Sequence, residues 1–450
     1  MSDAPLTWQR ALAMALPMIA ANAAVPLAGV VDTAVIGAVG DSGELGGIAM
    51  GAIVFNIIFS TTYFLRMGSS GLAAQAEGAA DMVGLQQVLF RALGLAGVMG
   101  AVILAGWPLL SPLSFFLLGG SADVEAFGAA YFAARVWGAP GALVMFATTG
   151  WLIGRGRTRA VLGITGLSSL TNILLDVALV TGVGFGVEGI GAATAVADWV
   201  GALAGLWIAQ RLIREDGGVH DAARDTQTLF DRAALRRLMT MNLDMMIRSW
   251  GLLIGFAWFI NVSAQHGDAI LAGNHVLLQI VTVWAFVLDA FAFTAETEVG
   301  RAIGQRSRPG LRRAIGVTSA LAVGCGAVFC AITLIAGPTV LTWWIADAET
   351  AASARRFLPY CAVIPLLGAP AWQLDGIFIG ATRSAAMRNA SIASVAAYLL
   401  VDRMLTPMGP HGTWAAFLFY YVARAGALAV AYPRLERDAV MEPEPARRDG

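Results

Sequence analysis

The chain is 450 residues long, 58% hydrophobic and only 13% charged, with a formal net charge of −1 and a mean hydropathy of +0.70. A soluble fold of this length cannot bury that much apolar surface, and a near-neutral charge leaves no bulk field for nucleic acid. The basic residues are all arginine, and the three cysteines (Cys325, Cys330, Cys361) sit in or beside apolar runs, as small hydrophobes rather than a disulfide or metal set.

Apolar runs broken by short polar stretches predict twelve membrane helices. In chain order the first six cover 10–39, 45–73, 86–118, 127–153, 159–181 and 187–213. The second six cover 236–264, 271–298, 314–345, 356–380, 386–407 and 411–433. The expected architecture is all-α: an N-terminal six-helix lobe (1–213), a cytoplasmic linker (214–235), a C-terminal six-helix lobe (236–433) and a disordered cytoplasmic tail (434–450). Ala21-Asn22-Ala23 could mimic a leader cleavage site, but the apolar run continues to Gly40 and reads as the first membrane helix.

Arginine placement sets the expected orientation. Arg155, Arg157 and Arg159 lie between spans four and five, Arg211 to Arg237 around the linker, Arg301 to Arg313 between spans eight and nine, and Arg383 and Arg388 between ten and eleven. The alternate loops carry acids instead, apart from Arg355 and Arg356. The positive-inside rule then puts both termini in the cytoplasm of a bacterial inner-membrane protein.

The two lobes are repeats. Residues 150–160, GWLIGRGRTRA, return as 376–386, GIFIGATRSAA, an offset of 226. The same offset joins Gly47 to Gly273, Gly78 to Gly304, Pro112 to Pro338 and Asp176 to Asp402 without a gap. Two tandem membrane lobes read as a transporter.

Ionisable side chains inside a bilayer cost a few kcal/mol or more, so each needs a reason. Asp32 lies in span one, Asn172 and Asp176 one turn apart in span five, and Thr194 and Asp198 one turn apart in span six. Carboxylate, amide and hydroxyl oxygens suit H⁺ or a hard monovalent cation such as Na⁺, with nothing soft for a transition metal. Interhelical hydrogen bonding is the alternative role for the same groups. Asp198, Asp375 and Arg66 are accessory candidates; Arg66 reads as the only cation deep in the first half, and an ion-pair role fits it. Asp402, beside Arg403 near a span end, is expected to be paired or exposed. Pro17 and Pro26 fall inside span one, where proline frees carbonyls and bends a helix.

Other features carry less. The glycine-rich 182–189 stretch has no strand before it and is no nucleotide loop. Met239, Met241, Met245 and Met246 could line an adaptable apolar pocket, though packing is the commoner use. No nucleophile–base pair, histidine cluster or phosphate loop argues for an enzyme or a bound cofactor.

Val31-Asp32-Thr33-Ala34-Val35-Ile36-Gly37 resembles the start of the multidrug and toxic compound extrusion (MATE) family. Leu374-Asp375-Gly376-Ile377-Phe378-Ile379-Gly380 and Asn172-Ile173-Leu174-Leu175-Asp176 resemble its DinF-type branch. The resemblance spans essentially the whole chain. It implies export of small organic, often cationic or amphipathic substrates in exchange for H⁺ or Na⁺, with two lobes rocking between outward- and inward-open states; H⁺ is expected ahead of Na⁺, and the protein is expected as a monomer. It implies a cation site in the first lobe at Asp32, Asn172, Asp176 and Thr194, with Pro17 matching the proline linked to bending of span one. A second-lobe ion site would need a glutamate in span seven that has no clear match here. The main rival is a lipid-linked oligosaccharide flippase, which would need a strongly basic cavity. Carried across the repeat, Asp32 lands on Trp258, Asn172 on Tyr398 and Thr194 on Tyr420, so the lobes differ in chemistry.

Overall fold

A computed structural model of the chain describes residues 6–39, 42–225 and 231–438. Among the described residues there are helices and no strands. The first half runs α1 (Trp8–Val39), α2 (Ser42–Thr62), α3 (Phe64–Gly78), α4 (Met82–Leu118), α5 (Ala122–Arg135), α6 (Ala139–Gly154), α7 (Thr158–Asp176) and α8 (Val187–Glu215). The second runs α9 (Arg232–Ala264), α10 (Asp268–Gly304), α11 (Arg308–Trp344), α12 (Ala348–Gly380), α13 (Ser384–Leu405) and α14 (Pro410–Asp438).

Among the described residues, eleven helical segments are long and apolar enough to cross a bilayer; α2 with α3, and α5 with α6, each make one. The remaining one of the expected twelve, span eleven (α13), is present as a helix, but its serines, Asn389, Asp402 and Arg403 dilute its apolarity. The protein is a multi-pass, all-α membrane protein.

The repeat is written into the turns as well as the helices. Asp81 Oδ1 accepts from Gly84 N–H at 2.8 Å to start α4, and its counterpart Ser307 Oγ accepts from Gly310 N–H at 3.1 Å to start α11. α6 and α12 end alike: Arg157 N–H reaches Leu152 C=O at 2.9 Å, and Arg383 N–H reaches Phe378 C=O at 3.0 Å. The turn demands a left-handed residue, met by Gly156 (φ +70°) in one copy and by Thr382 (φ +54°) in the other.

The chain forms two compact units. One holds Met14–Ala73 and Asp81–Met246, the other Met1–Ala13, Ala74–Ala80 and Ile247–Gly450. The end of α3 belongs to the second unit, and residues 214–225 to the first. Within the first unit, Gln86 Nε2 donates to Gly218 C=O at 2.9 Å and Gln86 Oε1 accepts from His220 N–H at 3.0 Å, tying the linker to α4. α6 is its buried centre, where Trp151 Nε1 donates to Leu85 C=O at 2.9 Å.

The second unit is built on aromatic rings: Phe259, Phe357, Tyr398, Trp414, Phe417 and Tyr420 are fully buried together. Phe259 meets Trp414 edge-on with centroids 4.8 Å apart. In the same unit Gln75 Nε2 donates to Gly380 C=O at 2.9 Å, holding the end of α3 against the end of α12. α14 runs into the segment expected as a tail because Glu436 accepts from Arg312 Nε at 2.5 Å and from Arg308 Nε at 3.3 Å. Residues 439–450 of that segment lie outside the described residues.

Candidate ion site

The first unit brings its four leading polar residues together. α7 ends at Asp176, and the chain continues through a wider π turn, Val177–Val183, closed by Gly184 at φ +83°. Asn172 and Asp176 face inward one turn apart, and Asp176 has no accessible surface. Asn172 Nδ2 donates to Thr194 Oγ1 on α8 at 3.2 Å, while the Thr194 hydroxyl donates to Ile190 C=O at 3.0 Å. Asp32, from α1, lies within hydrogen-bonding reach of both Asp176 and Asn172. For two carboxyls at such reach to share a hydrogen bond, one must carry a proton, because an ionised carboxylate can only accept. No N–H or O–H among the described residues serves Asp32 Oδ1, either oxygen of Asp176 or Asp198 Oδ2. Buried oxygens of that kind fit a site that loads a small cation.

Pro17 and Pro26 both lie inside α1, which runs unbroken from Trp8 past Asp32. Pro17 is half-buried and Pro26 exposed.

Two further groups belong to this site, and one corrects the sequence reading. Arg66 is not the only deep cation of the first half: Arg135, at the end of α5, lies in charge contact with Asp32 and Asp198. Its guanidinium donates to the Tyr131 hydroxyl and sits 4.6 Å over the Phe55 ring. Tyr131 is placed by Gly51 of α2, where a Cβ would stand 2.4 Å from its ring. Arg135 falls inside predicted span four (127–153), so the sequence itself places a second cation within the bilayer in the first half. Arg66 is buried in α3 and stacks 4.5 Å over Tyr63.

The second unit repeats the positions with other chemistry. Trp258 Nε1 donates to Asp402 Oδ2 at 2.9 Å, and Tyr398 stacks on Tyr420 with centroids 5.2 Å apart. Asp402 is therefore buried and hydrogen-bonded. Asp375 Oδ2 accepts from Arg248 Nη2 and, at 2.8 Å, from Arg424 Nη2, making a buried Arg–Asp–Arg cluster. Arg424 is the repeat counterpart of Asp198, a reversal of sign that the offset of 226 could have exposed. Buried acids at Asp244, Glu296 and Glu298 were also passed over. Among the described residues no group of three or more His, Cys, Asp or Glu could hold a metal ion.

The family model for MatE matches residues 17–178 and again 243–403, two copies that begin 226 residues apart. The chain belongs to the MatE family. It is 34% identical over 425 residues to DNA damage-inducible protein F of Escherichia coli (strain K12), covering 94% of this chain and 91% of that protein. It is 28% identical over 442 residues to the probable multidrug resistance protein NorM of Deinococcus radiodurans, covering 90% of each. The crystal structure of a MATE protein in the bent conformation superposes with a TM-score of 0.86 at 18% identity, over 96% of this chain and 97% of that one, which shows a shared fold. The resemblance read from the Asp32, Asn172–Asp176 and Asp375 motifs is borne out, and this MatE-family chain is a transporter rather than an enzyme.

Proposed function

We propose that this chain is a proton-coupled antiporter that expels small organic, cationic or amphipathic compounds across the bacterial inner membrane, with both termini in the cytoplasm. The reading rests on one observation: the Asp32 carboxyl lies within hydrogen-bonding reach of the fully buried Asp176 carboxyl and of Asn172, whose amide donates to Thr194. Such a pair has a place for a proton and loses its hydrogen bond when the proton leaves. A proton arriving from outside closes the pair, and the α1 segment carrying Asp32 is drawn toward α7. Pro17 and Pro26 soften α1 for that movement. Substrate binding from inside favours the deprotonated form, so the two ligands oppose each other by linkage and drive alternating access. The name given to the Deinococcus relative supports multidrug export. A flippase for lipid-linked pyrophosphates would want free basic groups, whereas Arg424 is committed to Asp375.

The test is efflux of a cationic dye from proteoliposomes under an imposed pH gradient. Asp32→Asn and Asp176→Asn should each abolish gradient-driven efflux. Wild-type rates in both variants would remove the pair from the mechanism.

A further inference from the structure

Arg135 is the charged group for which proton exchange alone gives no task. It is held from several sides, by the Tyr131 hydroxyl one turn earlier and by the Phe55 and Phe59 rings at 4.6 and 5.9 Å. The groups facing it are Tyr131 on its own helix, Asp32 on α1 and Asp198 on α8. Asp198 Oδ2 is pinned close to α5, only 3.0 Å from where a Cβ on Gly138 would stand. Asp176 lies behind Asp32, and Asn172 and Thr194 complete the polar surround.

The fixed guanidinium lies within Coulombic range of Asp32 and so puts positive charge near the place a bound metal cation would take. Na⁺ must shed its water and needs several oxygens at once, with no positive charge nearby. At an effective dielectric of about 20, a positive charge roughly 6 Å from a site weakens Na⁺ binding by up to about a hundredfold, and the Asp198 carboxylate offsets part of that penalty. A proton meets the same repulsion, but it forms a covalent bond to one oxygen and gains from burial of the neutral acid. The penalty therefore leaves a proton site working and removes a weak Na⁺ site. The repeat agrees. Across the 226 offset Arg135 becomes Cys361 and Asp198 becomes Arg424, so this pair exists only beside the Asp32–Asp176 pair.

We propose that Arg135, counter-charged by Asp198, is the specificity-determining residue of the ion site: a tethered cation that excludes Na⁺ and leaves H⁺ as the coupling ion. This rests on the proton-antiport reading above. The experiment compares wild type, Arg135→Gln and Arg135→Lys as full-length proteins. Dye efflux is measured under a pH gradient or a Na⁺ gradient alone, and NaCl is titrated calorimetrically against a choline chloride blank. Wild type and Arg135→Lys should ignore Na⁺. Arg135→Gln should gain Na⁺-driven efflux at least about tenfold above the wild-type background, and adding Asp32→Asn should abolish the gain.

A wild type driven by Na⁺, or a folded Arg135→Gln as indifferent to Na⁺ as wild type, overturns the proposal. If Arg135→Gln does not fold, Tyr131→Phe frees the guanidinium and must show a Na⁺ response, or the proposal falls. If wild type moves no dye under either gradient, the transport reading fails on its own. Calorimetry then decides this proposal: Na⁺ heat from Arg135→Gln alone supports it, and heat from both or neither overturns it.

Discussion

The Trp258 indole donates to the Asp402 carboxylate at 2.9 Å, and these two residues are the repeat counterparts of Asp32 and Asp176. The two units thus preserve a contact between the same pair of positions and change what it is made of. In the first unit, two carboxyls could share a hydrogen bond only through a proton. In the second, an indole N–H that never leaves supplies the hydrogen. Asn172 and Thr194 follow the same pattern, replaced by the stacked Tyr398 and Tyr420.

Replacing Trp258 by Phe should therefore damage stability and spare coupling. It leaves a buried carboxylate without its donor, a loss of about 1–3 kcal/mol. The thermal midpoint of the detergent-solubilised protein should fall by several degrees, while the pH dependence of efflux in proteoliposomes stays where it was.

The Asp32–Asp176 pair should behave as a unit. If one proton is shared, removing either carboxyl destroys the same event, so the double variant should be no slower than either single one. Thr194→Val removes only the oxygen that orients Asn172. It should slow pH-driven efflux roughly tenfold, a cost of about 1.4 kcal/mol, and Thr194→Ser should restore it. Additive losses in the double variant would mean two independent sites.

Much of this was legible in the sequence. The 226 offset by itself shows the duplication, and the one-turn spacing of Asn172 and Asp176 puts both on one helix face. What the spacing could not show was that Asp32, over a hundred residues away, closes on Asp176, since that contact joins two helices. Arg135 was legible in the same way as Arg66, since it falls inside predicted span four (127–153); what the sequence could not show is which carboxylates of α1 and α8 lie near it. The π turn after Asp176 has no sequence signature, because it is imposed where α7 must end against α8. Span eleven was read correctly as a helix, but its polar face against the unit interior made it too polar to count as a span on apolarity alone.

The repeated turns make a stability prediction free of function. Ala80 and its counterpart Arg306 both sit in the left-handed region, at φ +54° and +53°, where a side chain costs about 1 kcal/mol relative to glycine. Ala80 is exposed, so Ala80→Gly removes only a strained methyl and should raise the thermal midpoint slightly. Gly156→Ala makes the reverse change at φ +70° and should lower it by a similar amount. Equal midpoints for all three proteins would show that the turns relax without cost.

Asp375 was an accessory candidate for ion binding, and its surroundings argue for another role. Its Oδ2 already accepts from both Arg248 and Arg424, in side chains that are each about a tenth exposed or less. A carboxylate so committed cannot release one partner to take a proton without leaving a guanidinium unbalanced inside the second unit. Asp375→Asn should therefore cost about 3–5 kcal/mol of stability, as expected for breaking a buried pair from one side. It should appear as poor yield and early unfolding. The protein that does fold should keep the wild-type pH dependence of efflux, because the proposed antiport mechanism carries the proton on Asp32 and Asp176. Replacing the cluster as a whole, with Arg248→Met, Asp375→Leu and Arg424→Met, should recover much of the lost stability, since apolar groups of like size need no counter-charge. A folded Asp375→Asn with normal stability but a displaced pH profile would instead place Asp375 in the proton path.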